Sequence, residues 1–312
     1  MTTFLDSDHG LVAVVRRHPI ASFLVWTSTV GQAIAFLPLV ARAVQDVRLP
    51  TAPFVVVANL VGLLLPALVV TRVVDGPAGL RRLWRSTLRV RTAPRWYALA
   101  LVVVPVATTG LAVLLLGPPG AGAAALATAL TSGLLVQLVL GFVTTNWWEE
   151  VAWTGFVQAR LQDRHGASVA ALVTGPLFAL QHAPLAFGNG LLGGLMILLF
   201  ITAVAVPFRF LQGWVANRTG SLFVVGLVHA AGNASTDGSG FFGDGLLPRL
   251  YPAATVGPMH LLASAAVGLV VVAATRGRLG RRPSGSRSAT PAPVGPLEPP
   301  ALPVSKSRTR RV

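Results

Sequence analysis

The chain reads as a succession of apolar runs parted by short polar, glycine- or proline-marked breaks. Eight runs stand out, roughly Ile20–Val40, Phe54–Val70, Tyr97–Gly117, Thr131–Val157, Ala167–Ala183, Leu191–Pro207, Ser221–Asn233 and Val256–Thr275. Most approach the ~20 residues that an α-helix needs to cross a bilayer. The pattern predicts an all-α, polytopic membrane helix bundle of about eight transmembrane helices. The Ala167 and Ser221 runs are the shortest, and Pro118–Pro119 and Gly175–Pro176 mark breaks or bends.

Arginine placement gives an independent reading of topology, because positive residues collect in short cytoplasmic connections. The second connection carries Arg72, Arg81, Arg82, Arg85, Arg89, Arg91 and Arg95, and nine Lys or Arg follow the last run between Arg276 and Arg311. Arg16 and Arg17 precede the first run, Arg160 and Arg164 follow the fourth, and Arg209 and Arg218 follow the sixth. The remaining connections are almost free of charge or nearly balanced, as with Arg42, Asp46 and Arg48, or Asp237, Asp244 and Arg249. Eight spans with both termini cytoplasmic fit this bias.

Composition sharpens the picture. The chain is 53% hydrophobic and 11% charged, more apolar than the core of a soluble domain of this length needs. The net charge of +15 would suggest nucleic acid on a soluble fold, but these arginines flank spans, so anionic headgroups of the membrane lipid bilayer are the expected partner and nucleic acid is not. The absence of cysteine removes disulfides, thiolate metal sites and a cysteine nucleophile together. No cleavable signal peptide is expected, since the first apolar run reads as a span. The organisation expected is a short cytoplasmic lead over 1–19, one transmembrane domain over 20–275, and a basic, Pro/Ser-rich disordered cytoplasmic tail over 276–312. Arg- and Ala-rich usage with a single lysine, Lys306, suggests a GC-rich bacterial genome and hence a multi-pass protein of a bacterial plasma membrane.

Candidate chemistry is concentrated over residues 146–233. Glu149 and Glu150 lie inside an apolar stretch of a chain whose one other glutamate is Glu298. Ionisable residues at membrane depth are costly and are kept for chemistry or transport. On a helix the two side chains stand about 100° apart in projection, so they can face one cavity without pointing the same way. Phe178 and His182 share a helix face at i and i+4, and His229 and Asn233 repeat that spacing behind an Arg218-Thr-Gly-Ser221 lead-in. Counted at ~1.5 Å per residue from ends near Leu161, His165 and Gly220, the glutamates lie roughly 17–18 Å deep, His182 about 25 Å, His229 about 14 Å and Asn233 about 20 Å. These groups overlap in one buried layer.

Glu-Glu, then Phe-x-x-x-His, then His-x-x-x-Asn, in this order on separate apolar helices, resemble the three motifs of the CAAX-protease and bacteriocin-processing family, intramembrane endopeptidases related to the Ras-converting CAAX endopeptidase. The resemblance covers about residues 140–235. It implies hydrolysis of a peptide bond in a membrane-associated or prenylated protein or peptide substrate, with Glu149 as the more essential carboxylate. Amide hydrolysis needs a base for water, donors for the oxyanion and a proton for the leaving amine. On this reading Glu149 is the general base, His182 assists or orients the water, His229 and Asn233 form the oxyanion side, and Glu150 is structural or electrostatic.

Family members usually read Glu-Glu-x-x-x-Arg, and here the sixth position is Thr154. The missing arginine is expected to orient a carboxylate, and Arg160 is the substitute nearest in sequence. A metal-free mechanism is expected; zinc is the alternative cofactor, with Glu150, His182 and His229 as its ligands. Two other readings remain at this stage. One is an inactive relative serving as an immunity or scaffold protein, which Thr154 suggests; the other is a proton-coupled transporter, which the few polar residues of the first three spans, mainly Thr27, Ser28, Gln32 and Asn59, support weakly.

Overall fold

The computed structural model describes residues 10–236 and 243–280. Eight apolar helices, α1 to α8, span Pro19–Gln45, Thr51–Thr87, Pro94–Leu116, Ala123–His165, Ala167–Gln181, Ala183–Thr219, Leu222–Ser235 and Met259–Thr275 among the described residues, which contain no strand. Five of them, α1 to α4 and α6, are long and apolar enough to cross a membrane. They turn large apolar side chains outward, such as Leu114 and Leu199, 80% and 73% exposed. Such faces are stable against lipid rather than water. The chain is a polytopic helical membrane protein.

Each of the eight expected runs is helical, with longer bounds in several cases, and three of the helices are shorter than a full span. The second run continues to Thr87, bending at Gly76 (φ 65°) so that Arg81, Arg82 and Arg85 sit on helix rather than in a loop. Leu83 then packs against Val151 and Leu222, tying this extension to α4 and α7. The sixth run continues through Pro207 to Thr219. Arg209, expected in a cytoplasmic connection, is therefore a helix-interior residue and is fully buried. A charge survives there because its hydrogen-bonding groups are met by protein, as described below.

Helix α7 is the axis of the bundle. It packs against α2, α3, α4, α6 and α8, and almost every residue from Leu222 to Ser235 is buried. Its 14 residues reach only about 21 Å, short of the ~30 Å hydrocarbon core. Enclosure by protein makes that length tolerable. The Arg-Thr-Gly-Ser lead-in explains its start. Gly220 takes φ 63°, a left-handed conformation that closes α6. Ser221 then caps α7, its hydroxyl accepting from the Val224 amide at 3.1 Å while donating to the Arg89 carbonyl at 2.5 Å.

Close approach of α7 to α4 depends on Gly226. A Cβ there would stand 3.0 Å from the Trp147 Cα, tighter than packed carbon atoms accept. Two apolar cores flank the axis: one holds Trp96, Phe142, Leu211, Val215 and Val224, and the other holds Phe23, Leu63, Trp153, Phe156 and Phe178. At the far end Leu279 is fully buried and its carbonyl accepts from Asn217 at 3.1 Å. The remainder of the segment read as tail, the lead before Gly10, and Asp237 lie outside the described residues.

Candidate active site

Helix α4 changes pitch at the acidic pair. Trp147–Glu150 is a single α-helical turn between the π-helical stretches Phe142–Asn146 and Val151–Gln158. Such wide turns recur at functional positions because they re-aim side chains. Further π-helical stretches at Thr27–Gly31 in α1 and Ala58–Leu64 in α2 bring Thr27, Gly31 and Asn59 to the same cavity.

That cavity has a volume of about 490 Å³. Glu149, His182, His229 and Asn233 all line it, together with Phe178 and His260. Four of the five residues singled out in the sequence therefore converge. The fifth, Glu150, points away into the contact between α4 and α6, as the angular offset of adjacent helical residues requires.

Glu150 is fully buried and richly partnered. Arg209 Nη1 donates to both of its oxygens at 3.0 Å, Thr154 Oγ1 donates to Oε2, and the His229 Nδ1–H donates to Oε1 at 2.9 Å. Arg209 uses every donor it has: Nε and Nη2 bond Gln158 Oε1 at 3.1 and 3.0 Å, and the second Nη2 hydrogen goes to Thr154 Oγ1. Thr154 thus accepts from the guanidinium and donates to the carboxylate. The residue that replaces the family arginine is the bridge to an arginine supplied by another helix. Arg160, the substitute nearest in sequence, is committed elsewhere, paired with Asp75 and stacked 4.0 Å from the Phe156 ring.

Because a carboxylate has no hydrogen to give, Glu150 assigns the Nδ1 hydrogen of His229 and leaves Nε2 toward the cavity. That atom lies 3.9 Å from Glu149 Oε2, beyond direct hydrogen bonding. Glu149 Oε1 accepts from Asn59 Nδ2 at 2.9 Å. His182 ends α5 rather than lying inside the span, and its Nδ1–H donates to the Phe178 carbonyl at 3.1 Å, so Nε2 is again the free nitrogen. A helix end at this depth is acceptable because it borders the cavity and because Gln32 donates to the Leu180 carbonyl at 3.1 Å. Phe178 explains its place in the second motif: its ring lies 5.0 Å from the His182 ring and 5.7 Å from that of His229, edge-on to both. The Asn233 amide has no hydrogen-bond partner among the described residues.

Of the zinc ligands expected from the sequence, Glu150, His182 and His229, the first is already engaged. Among the described residues no three Asp, Glu or His side chains gather as metal ligands. The oxygens of Glu150 already accept from a guanidinium, a hydroxyl and an imidazole, and a cation there would compete with Arg209.

Sequence reasoning missed Arg209, Asn59, Gln158 and Gln181. An arginine flanked by Phe208, Phe210 and Leu211 was the available signal for the first. For Asn59, isolated polarity in an apolar run was the signal. Fold and site define a multi-pass membrane protein with a carboxylate, two imidazoles and an amide around a buried cavity. Residues 131–235 match the family model Rce1-like, type II CAAX prenyl endopeptidase Rce1-like. That segment, from within α4 through α7, is a domain of the CAAX-protease family that the three motifs resemble. None of the curated proteins compared matches the chain.

Proposed function

We propose that this chain is an intramembrane endopeptidase of the CAAX-endopeptidase type that hydrolyses a peptide bond with a water molecule activated by Glu149. One observation carries the reading. Glu149 Oε2, the free nitrogens of His182 and His229, and the unpartnered Asn233 amide border one cavity, while Glu150 is spent on structure. Glu149 takes a proton from water as oxygen attacks the scissile carbonyl, with His182 Nε2 orienting that water. Asn233 Nδ2 donates to the oxyanion, and His229 stands on the same side of the cavity. The proton passes from Glu149 to the leaving nitrogen as the C–N bond breaks, giving a carboxylic acid and an amine. No metal takes part.

The cavity wall formed by Ala35, Val55, Leu185, Ile201 and Val204 is apolar and suits a lipidated or membrane-associated peptide. Location in a bacterial plasma membrane accords with the arginine bias and residue usage. The inactive-relative reading rested on Thr154, and the guanidinium of Arg209 beside Glu150 removes its ground.

The test uses the full chain in liposomes and an internally quenched, farnesylated CAAX peptide. Cleavage by the intact protein, its loss in Glu149→Gln, and persistence of activity after exhaustive chelation are expected. Cleavage by Glu149→Gln would refute the assignment of the base, and recovery of chelated activity by zinc would refute the metal-free mechanism. Comparing membrane peptides from cells carrying the intact chain or Glu149→Ala would identify the natural substrate.

A further inference from the structure

A hydrogen-bonded chain of three side chains ends on Glu149. Trp153 Nε1–H donates to Gln181 Oε1, Gln181 Nε2 donates to Asn59 Oδ1 at 3.1 Å, and Asn59 Nδ2 donates to Glu149 Oε1 at 2.9 Å. The members come from α4, α5 and α2, so three helices meet in one file of bonds. Trp153, Asn59 and Glu149 are buried, at 1%, 2% and 6% exposure.

The sense of the file follows from its first member. An indole N–H can donate and cannot accept. Gln181 must therefore present its oxygen to Trp153 and its amino group to Asn59. Asn59 in turn must present its oxygen to Gln181 and its amino group to Glu149. Neither amide is free to turn over, because reversal of either would set like groups against each other at two contacts. The file can terminate only on an acceptor, and a carboxylate is the acceptor that stands there.

We propose that Trp153, Gln181 and Asn59 form a one-way positioning relay that occupies Oε1 of Glu149 and so selects Oε2 as the basic oxygen. Oε2 is the atom facing His229 Nε2 at 3.9 Å, where the reacting water belongs. The relay fixes the rotation of the carboxylate, the degree of freedom on which proton abstraction depends most. Asn59 lies outside the segment that matches the family model, so α2 completes a site whose motifs lie on α4, α5 and α7. The proposal rests on Glu149 as general base.

The experiment compares Asn59→Leu, Trp153→Phe and the double variant in the liposome assay, with Glu149→Gln alongside. Trp153→Phe keeps an aromatic ring against Phe23 and Phe178 and removes the N–H. Asn59→Leu is expected to lower kcat by about 10²-fold with KM unchanged. Trp153→Phe is expected to lower kcat by less, and to add nothing in the Asn59→Leu background, since both changes break one file. In ¹⁵N-indole-labelled protein, the Trp153 N–H resonance, identified by its loss in Trp153→Phe, is expected to move in Asn59→Leu.

A wild-type kcat in Asn59→Leu, independent losses that multiply in the double variant, or an unmoved Trp153 resonance would each overturn the relay. If Glu149→Gln is inactive while Asn59→Leu cleaves normally, the relay falls and the hydrolytic reading stands. If Glu149→Gln cleaves normally, both fall.

Discussion

Arg209 places Nη1 3.0 Å from each carboxylate oxygen of Glu150, across 59 residues of sequence and between two helices that both lie in the apolar interior. Neither charge has water to fall back on, so each is the condition for the other. Thr154 and Gln158 complete the guanidinium's bonding, and His229 hangs from the same carboxylate. The His229 side of the cavity is thereby anchored to an ion pair buried outside it.

Removing one member of this pair should cost far more than removing both. Arg209→Leu leaves a buried carboxylate without its cation and is expected to destabilise the protein by about 3–5 kcal/mol. Thermal unfolding in detergent measures this. Arg209→Leu combined with Glu150→Gln should recover part of the loss, because the uncompensated charge is gone. Equal stability of Arg209→Leu and the intact chain would show the pair to be energetically idle.

The guanidinium should be transferable between helices. Thr154→Arg alone sets a second cation beside Arg209 in a filled space, and both stability and cleavage are expected to fall. Adding Arg209→Met to Thr154→Arg should restore both toward the starting level, the charge now arriving from α4. A double variant no better than Thr154→Arg would mean that the helix supplying the arginine matters, not the charge alone.

Asn233 offers a cleaner test of oxyanion stabilisation, because its amide has no structural partner among the described residues to lose. Asn233→Ala should leave the unfolding temperature in place and reduce kcat by roughly 10²–10³-fold, with little change in KM. Parallel loss of stability and activity would assign Asn233 to packing instead.

The eight apolar helices and the three motifs were legible because both are local patterns: apolar run length, and residues repeated at i and i+4. Their meeting in one cavity followed from depth along each helix. Arg209 was not legible as a site residue because, next to Pro207 at the end of an apolar run, it looks like the flanking charge that ends a span. The structure assigns that role to Arg218, exposed nine residues further on, since the helix continues through the proline. The vacancy at Thr154 could have prompted a search for a displaced arginine. Asn59 was visible as a polar residue in an apolar run, yet its partner lies 90 residues away, and no periodicity connects them.

The enclosure of α7 bears on how the protein is made. A segment of 14 residues carrying an imidazole and an amide partitions poorly into lipid by itself, and its walls include α8, which leaves the ribosome afterwards. Its shelter is complete only after synthesis of α8. Truncation before Met259 should therefore strand His229 and Asn233 with one wall missing, so the nascent protein becomes competent only once α8 has been made.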